Sequence, residues 1–190
     1  GGGEVWRALT PENHLIALKF LKWSPLKSEE KATARFKSEF AILKNLSHPN
    51  IGKIYDFGHS GEADKRKYFF TSELLNLGDL KKIVQAPINI LEDILLQSLR
   101  ALEYLRNQQL LHLDIKPQNL MLRKAGTKPQ VALIDFGLAT FRPPNKPGGT
   151  ANYMPPEVVA RRFPEESPTK TWPAPDHRSD LYSLGITFYY

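Results

Sequence analysis

The sequence predicts an α+β fold in two lobes: a small antiparallel sheet carrying one helix, then a mainly helical part that is incomplete. Two observations predict it. Up to about residue 75, short strand-like runs alternate with turn residues and enclose a single apolar-striped helix. After Asn76-Leu77-Gly78 the apolar residues shift to helical spacing over long stretches. A composition of 41% apolar and 24% charged residues is that of an ordinary globular chain, so wholesale disorder is excluded.

Taken in order, Val5 to Ala8 and His14 to Leu21 read as strands around a Thr10-Pro11-Glu12-Asn13 turn. Lys31 to Leu46 reads as a helix, with Ala32, Phe36, Phe40 and Leu43 on one face. Ile51 to Gly58 and Tyr68 to Glu73 are two further strands around the polar turn Gly61 to Lys67. The lobes join near Leu74 to Gly78, dividing the chain at 1–75 and 76–190. Leu91 to Asn107 carries Leu91, Leu95, Leu99 and Leu102 on one stripe and reads as a buried helix. Strand pieces at Leu120 to Leu122 and Val131 to Ile134 flank a Lys124-Ala125-Gly126-Thr127 turn. Pro143, Pro144 and Pro147, and then Pro164, Pro168, Pro173 and Pro175, mark two irregular segments, and Ser179 to Tyr190 begins another helix with Ser179 or Asp180 as its cap.

The net charge of +6 is scattered along the chain rather than gathered into a basic stripe, which argues for a solvated surface and against nucleic-acid binding. With no Cys, disulfides, thiolate catalysis and Cys-bound zinc are excluded. No run reaches the roughly 18 apolar residues a membrane span needs. The chain opens on Gly1-Gly2-Gly3 without Met and stops inside the apolar run Phe188-Tyr189-Tyr190, so it reads as an excerpt cut at both ends.

The chemistry concentrates in His112-Leu113-Asp114-Ile115-Lys116-Pro117-Gln118-Asn119 and, one strand later, Asp135-Phe136-Gly137. A loop that receives a hydroxyl proton, neutralises a phosphate and holds a divalent metal needs such groups. In order and spacing the two segments resemble the H-R-D-x-x-x-x-N and D-F-G motifs of protein kinases. Ile16-Ala17-Leu18-Lys19 is similar to the family's V-A-I-K strand, and Gly1-Gly2-Gly3-Glu4-Val5 to the tail of its Gly-rich loop. Asp114-x-Lys116-Pro117-x-Asn119 and Gly149-Thr150-Ala151-Asn152-Tyr153 resemble serine/threonine kinases. The chain is thus similar, from end to end, to the catalytic domain of eukaryotic-type (Hanks-type) serine/threonine protein kinases. The phrases Gly2-Gly3-Glu4-Val5 and Asp180-Leu181-Tyr182-Ser183-Leu184-Gly185 are most like the bacterial members.

That resemblance implies ATP in a cleft between the lobes, Mg²⁺ beside it, and a protein substrate in the cytoplasm. Asp114 is the implied acceptor or orienter of the substrate hydroxyl, Lys116 the cation facing the γ-phosphoryl group, and Thr150 the hydroxyl bridging the two. Asn119 and Asp135 are the implied metal ligands. Lys19 would hold the α- and β-phosphates and pair with Glu39, a carboxylate beside the buried face of Phe36, Phe40 and Leu43. Gly3 and Val5 would cover the nucleotide, and Ala17 and Met121 would sandwich the adenine. The Glu73 carbonyl and Leu75 amide would bond the base, Ser72 would line the back of the pocket and Asp79 would bond the ribose. Singly, each has a bland reading: a strand-end Lys is usually solvated, and loop Asp and Asn usually cap turns.

Three departures stand out. Leu113 replaces the Arg that commonly binds a phosphorylated activation loop, and Leu cannot pair with phosphate. Between Asp135 and Glu157 the only hydroxyls are Thr140, Thr150 and Tyr153, so activity is expected not to depend on phosphorylation there. Pro155-Pro156-Glu157 stands for Ala-Pro-Glu, leaving Glu157 without the later Arg it pairs with in the family. The excerpt is therefore expected to be poorly stable alone, whereas the longer parent is expected to be active. The proline-rich stretch Arg161 to His177 reads as a loop rather than an added docking surface. Two other readings are a pseudokinase scaffold, against which all six charged and metal-binding positions are present, and a small-molecule kinase, against which Gly149-Thr150 and Pro155-Pro156-Glu157 resemble a protein-docking platform. The substrate and the oligomeric state are not legible.

Overall fold

In the computed structural model, residues 3–21, 29–61, 67–83, 85–145, 147–166 and 171–189 are described. Gly1 and Gly2, most of the polar turn before Lys67 and part of the proline-rich stretch lie outside them. Strands β1 (Gly3–Leu9), β2 (Leu15–Leu21), β3 (Ile54–Ser60) and β4 (Lys67–Glu73) form one antiparallel sheet in the order β1-β2-β4-β3. The first hairpin closes where the Thr10 N–H donates to the His14 carbonyl at 2.9 Å, with Asn13 at φ 64°. Asn tolerates that left-handed conformation better than most residues.

Register decides what faces the interior. Val5 pairs with Lys19, Lys19 with Phe70 and Ala17 with Ser72. Because side chains alternate along a strand, these five share one face of the sheet. Helix α1 (Glu29–Lys44) packs against it, stacking Phe36 on Phe70 with ring centroids 5.0 Å apart and setting Phe40 against Phe57 at 5.3 Å with the rings tilted. Phe36 and Leu43 are buried as their spacing predicts, while the side chain of Ala32 lies outside the described residues. Ile51 does not start a strand: it makes a single parallel bridge to Leu133, and regular pairing begins only at Ile54. The chain here leans on the second lobe. The Leu133 N–H donates to the Asn50 carbonyl and the Gly52 N–H to the Leu133 carbonyl, both at 2.9 Å.

The second lobe is built on α2 (Ile88–Asn107) and a hairpin of β5 (Leu120–Ala125) and β6 (Lys128–Leu133). The hairpin turns at Gly126, whose φ of 62° suits glycine. Helices α3 (Pro156–Arg162) and α4 (His177–Tyr189) follow. The buried stripe of α2 keeps only part of the predicted leucine row: Leu102 is buried and Leu95 packs against the core. Leu99 is 36% exposed, and the inward face is Ile94, Gln97, Ser98, Ala101, Leu102 and Leu105. Gln97 is buried because the carbonyl oxygen of its side chain accepts from the Val131 N–H (2.9 Å) and the Asn50 amide (3.1 Å). A buried amide with partners costs little, so the stripe can include Gln97. The start of α4 also differs. Asp176, not Ser179 or Asp180, caps it, accepting from the Arg178 N–H at 2.8 Å. The stretch Arg161 to His177 is not one loop: it holds the end of α3 and a short 3₁₀ turn at Pro164–Glu166.

Candidate active site

A cavity of about 400 Å³ lies between the sheet and the β5–β6 hairpin, within the size range of small-molecule sites. Val5, Ala17, Lys19, Phe70 and Ser72 form its roof, the sheet face fixed by the register above. Met121, on β5, lies opposite, and Glu73, Leu74 and Leu75 form one edge. The mixture is mostly apolar with charge at one end.

The charged end is Lys19, Glu39 and Asp135. The Lys19 ammonium lies 2.6 Å from Glu39 Oε1 and 3.2 Å from Asp135 Oδ1. Burial alone would lower the ammonium's pKa, but the two carboxylates outweigh it and hold it above its ordinary value. Asp135 shows the converse: burial pushes its carboxyl up, and the charge and hydrogen bond of Lys19 bring it below the usual carboxylate range. Glu39, only 6% exposed, reaches this position because Phe36, three residues earlier, anchors the same helix face on Phe70.

A second cluster surrounds Asp114. Its Oδ1 accepts from the Thr150 hydroxyl at 2.7 Å, and its Oδ2 lies 2.6 Å from the Lys116 ammonium. Lys116 also donates to Thr150 Oγ1 at 2.9 Å, closing a triangle. The Asn119 amide donates to the Asp114 carbonyl (2.8 Å) and to Oδ2 (3.3 Å), which directs its own carbonyl oxygen elsewhere. Thr150 reaches Asp114 because Gly149, at φ 136°, brings the chain close: a Cβ there would lie 3.0 Å from the Leu113 carbonyl.

Beneath the loop lies a support that sequence reasoning missed. Asp180, fully buried in the first turn of α4, accepts from the His112 N–H and the Leu113 N–H, each at 2.8 Å. Burial pushes its carboxyl above the usual range against the pull of those two amides. The His112 ring takes the Asp114 N–H on Nδ1 (3.3 Å), which leaves Nε2 to donate to the Ile134 carbonyl (3.1 Å). Its edge meets the Phe136 ring at 4.7 Å, so one imidazole links the Asp114 loop to the Asp135 segment. Both Leu113 and Asp135 have positive φ, 61° and 63°. Such strain in residues other than glycine clusters at functional sites.

Of the predicted nucleotide positions, Val5, Ala17, Lys19, Glu39, Ser72, Glu73, Leu75 and Met121 all line the cavity, as do Asn119 and Asp135. Gly3 begins β1. Asp79 does not line the cavity: its carboxylate accepts from the Lys81 N–H at 3.2 Å and caps the 3₁₀ turn Leu80–Ile83. Glu157, expected to lack a partner, accepts from the Ser179 hydroxyl at 2.5 Å. Lys53 and Gln118 line the cavity and carried no signal in the sequence beyond being polar.

Among the described residues no cluster of three His, Cys, Asp or Glu could hold a metal by itself. Asn119 and Asp135 nevertheless fit Mg²⁺, which binds through one or two hard side-chain oxygens and completes its shell with phosphates and water. Both face the same cavity, and Asp135 is kept ionised by Lys19.

Comparison with known proteins agrees with this geometry. The protein kinase domain family matches residues 1–190. The chain is 32% identical to serine/threonine-protein kinase PknA of Mycobacterium tuberculosis, over 100% of this chain and 43% of that protein. It is 31% identical to a probable serine/threonine-protein kinase, CPE1738, of Clostridium perfringens, over 93% of this chain and 24% of that one. Serine/threonine-protein kinase 36 of Pongo abelii is 35% identical over 92% of this chain and 12% of its own length. The chain thus spans less than half the length of these relatives. With its two-lobed fold, its lysine–glutamate pair and a match along its whole length, the chain belongs to the protein kinase domain family.

Proposed function

We propose that the protein is a serine/threonine protein kinase that transfers the γ-phosphate of ATP to Ser and Thr hydroxyls of protein substrates. The observation that carries this reading is the triangle of Asp114, Lys116 and Thr150 beside the charged end of the cavity. Asp114 is the group that accepts or orients the substrate hydroxyl, and Lys116 offsets charge on the phosphoryl group in flight. Thr150 holds both in register. Lys19, fixed by Glu39, binds the α- and β-phosphates, and Val5, Ala17 and Met121 enclose the base. The Glu73 carbonyl and Leu75 N–H bond the edge of the adenine. Asp79 lies outside the cavity and has the weakest support among the nucleotide positions. Asn119 and Asp135 would hold Mg²⁺, which when bound neutralises phosphate charge and orients the phosphates.

In this reading the lobes divide at 1–75 and 76–190, and the cytoplasm, where ATP is made available, is the compartment. No helix among the described residues is long and apolar enough to cross a membrane. Transfer from Mg·ATP to a generic protein substrate, followed by phosphoamino-acid analysis, tests the proposal. Phosphoserine and phosphothreonine are expected. Phosphotyrosine alone, or no transfer by the full-length protein, contradicts it.

A further inference from the structure

The connection from Glu73 to Asp79 is fastened at both ends to one strand, β5. At its far end the fastening is backbone: the Leu77 N–H donates to the Leu122 carbonyl at 3.2 Å and the Leu122 N–H to the Gly78 carbonyl at 2.8 Å. At its near end it is a side chain. The Arg123 guanidinium pairs with the Glu73 carboxylate, donates a second N–H to the Pro49 carbonyl, and gives its Nε–H to the Gln130 side chain at 2.9 Å. Gln130 is the residue directly opposite Arg123 in the β5–β6 register, so the fork is aimed by the hairpin itself. Glu73 is pinned a second time, accepting the Lys53 N–H on its carboxylate at 2.8 Å and donating its own N–H to the Lys53 carbonyl at 3.0 Å. The charged pair is largely buried, with 18% and 14% of the two side chains exposed.

Arg123 lies two residues beyond Met121 on β5, on the same face as that floor residue of the cavity, but it does not line the cavity. We propose that Arg123 is a positioning residue for the purine: by clamping Glu73 to the Pro49 turn it fixes the Glu73–Leu75 backbone that bonds the base, without touching the nucleotide. This rests on the nucleotide reading above. Three acceptors in different directions suit a rigid planar fork, whereas an ammonium offers a single point of charge.

The test measures binding of ATP and of inorganic tripolyphosphate separately, on the full chain. Tripolyphosphate engages the phosphate end at Lys19 and ignores the base. In Arg123→Ala, ATP affinity is expected to fall about tenfold while tripolyphosphate affinity stays within about twofold, a loss of uniform binding that raises KM far more than it lowers kcat. Arg123→Lys is expected to fall between wild type and Arg123→Ala. Should Arg123→Ala not fold, Glu73→Gln removes the charge and sets an amide donor where one of two accepting oxygens was, and a loss in the same sense is expected. Unchanged ATP affinity in a cooperatively unfolding variant overturns the proposal, as does a parallel fall for both ligands. Binding is read without transfer, so the two readings fail separately. A protein that holds ATP but moves no phosphate sinks the catalytic reading alone, and one that transfers phosphate with ATP affinity unchanged in Arg123→Ala sinks this one alone.

Discussion

Asp180 holds the backbone of Leu113 from 67 residues away, accepting its N–H at 2.8 Å while Leu113 sits at φ 61°. A leucine rarely adopts that conformation, and the carboxylate from α4 is what secures it, with the His112 N–H on its other oxygen. Asp180→Ala leaves two buried N–H groups without acceptors, so a loss of about 2–3 kcal/mol in urea unfolding is expected. Activity at a temperature where the variant is folded should fall too, because Asp114 is the next residue. An unchanged unfolding midpoint would show that the support is dispensable.

Lys19 should leave a signature in stability against pH. Asp135 is held below its ordinary value of 3.8, so the unfolded chain binds more protons than the folded one in that window, and stability rises with pH through it. The contribution is fully present above 3.8 and lost as pH falls through the folded value. Lys19 is held above 10.5, so its share is present below 10.5 and lost as pH rises through its folded value. Lys19→Met, which takes the cation away from one buried and one partly buried carboxylate, should cost on the order of 3 kcal/mol at neutral pH. The gap from wild type should narrow at both extremes in thermal unfolding across pH. A gap independent of pH contradicts the pairing.

Thr150 offers a test of the triangle by shape. Thr150→Val keeps the volume and removes the bridging hydroxyl, so kcat is expected to fall roughly tenfold, the scale of one charge-assisted hydrogen bond. Thr150→Ser should retain most of the rate. A full rate in Thr150→Val beside a loss in Thr150→Ser would mean that the methyl group, not the hydroxyl, matters.

Thr140 bears on regulation. Its hydroxyl donates to the Arg142 carbonyl at 2.8 Å and accepts the Arg142 N–H at 3.2 Å, and its backbone pairs with Leu111. It is a turn residue, and Leu113 supplies no cation to receive a phosphate on it. Thr140→Ala is expected to keep the transfer rate within about twofold and to cost under about 1 kcal/mol, the usual worth of one exposed side-chain bond. A large loss of rate, rescued by Thr140→Glu, would establish the opposite.

What the sequence made legible were residues whose chemistry is written in short-range order. Lys19, Asp114, Lys116, Asn119 and Asp135 sit in fixed local phrases, and Glu39 was found because a carboxylate flanked by Phe36 and Phe40 on a buried face needs a cation. What stayed hidden was long-range pairing. Asp180 looked like a helix cap because nothing local says that its carboxylate crosses to His112 and Leu113. The leucine stripe of α2 is legible only in part, because burial of Gln97 depends on Asn50 and Val131, contacts no periodicity reports. Asp79 is placed at the ribose by resemblance alone, and nothing local says that its carboxylate caps the next turn. Arg123 gave no signal at all, since its three acceptors come from three separate parts of the chain.

The central claim is that Asp114 acts on the substrate hydroxyl. It is tested most directly by phosphate transfer from Mg·ATP in the full-length protein beside its Asp114→Asn variant, with ATP affinity measured in parallel. A fall in kcat of about 10²–10⁴ with ATP affinity retained is expected, the range for a positioned acid–base group. Transfer that survives the substitution at near wild-type rate would contradict it.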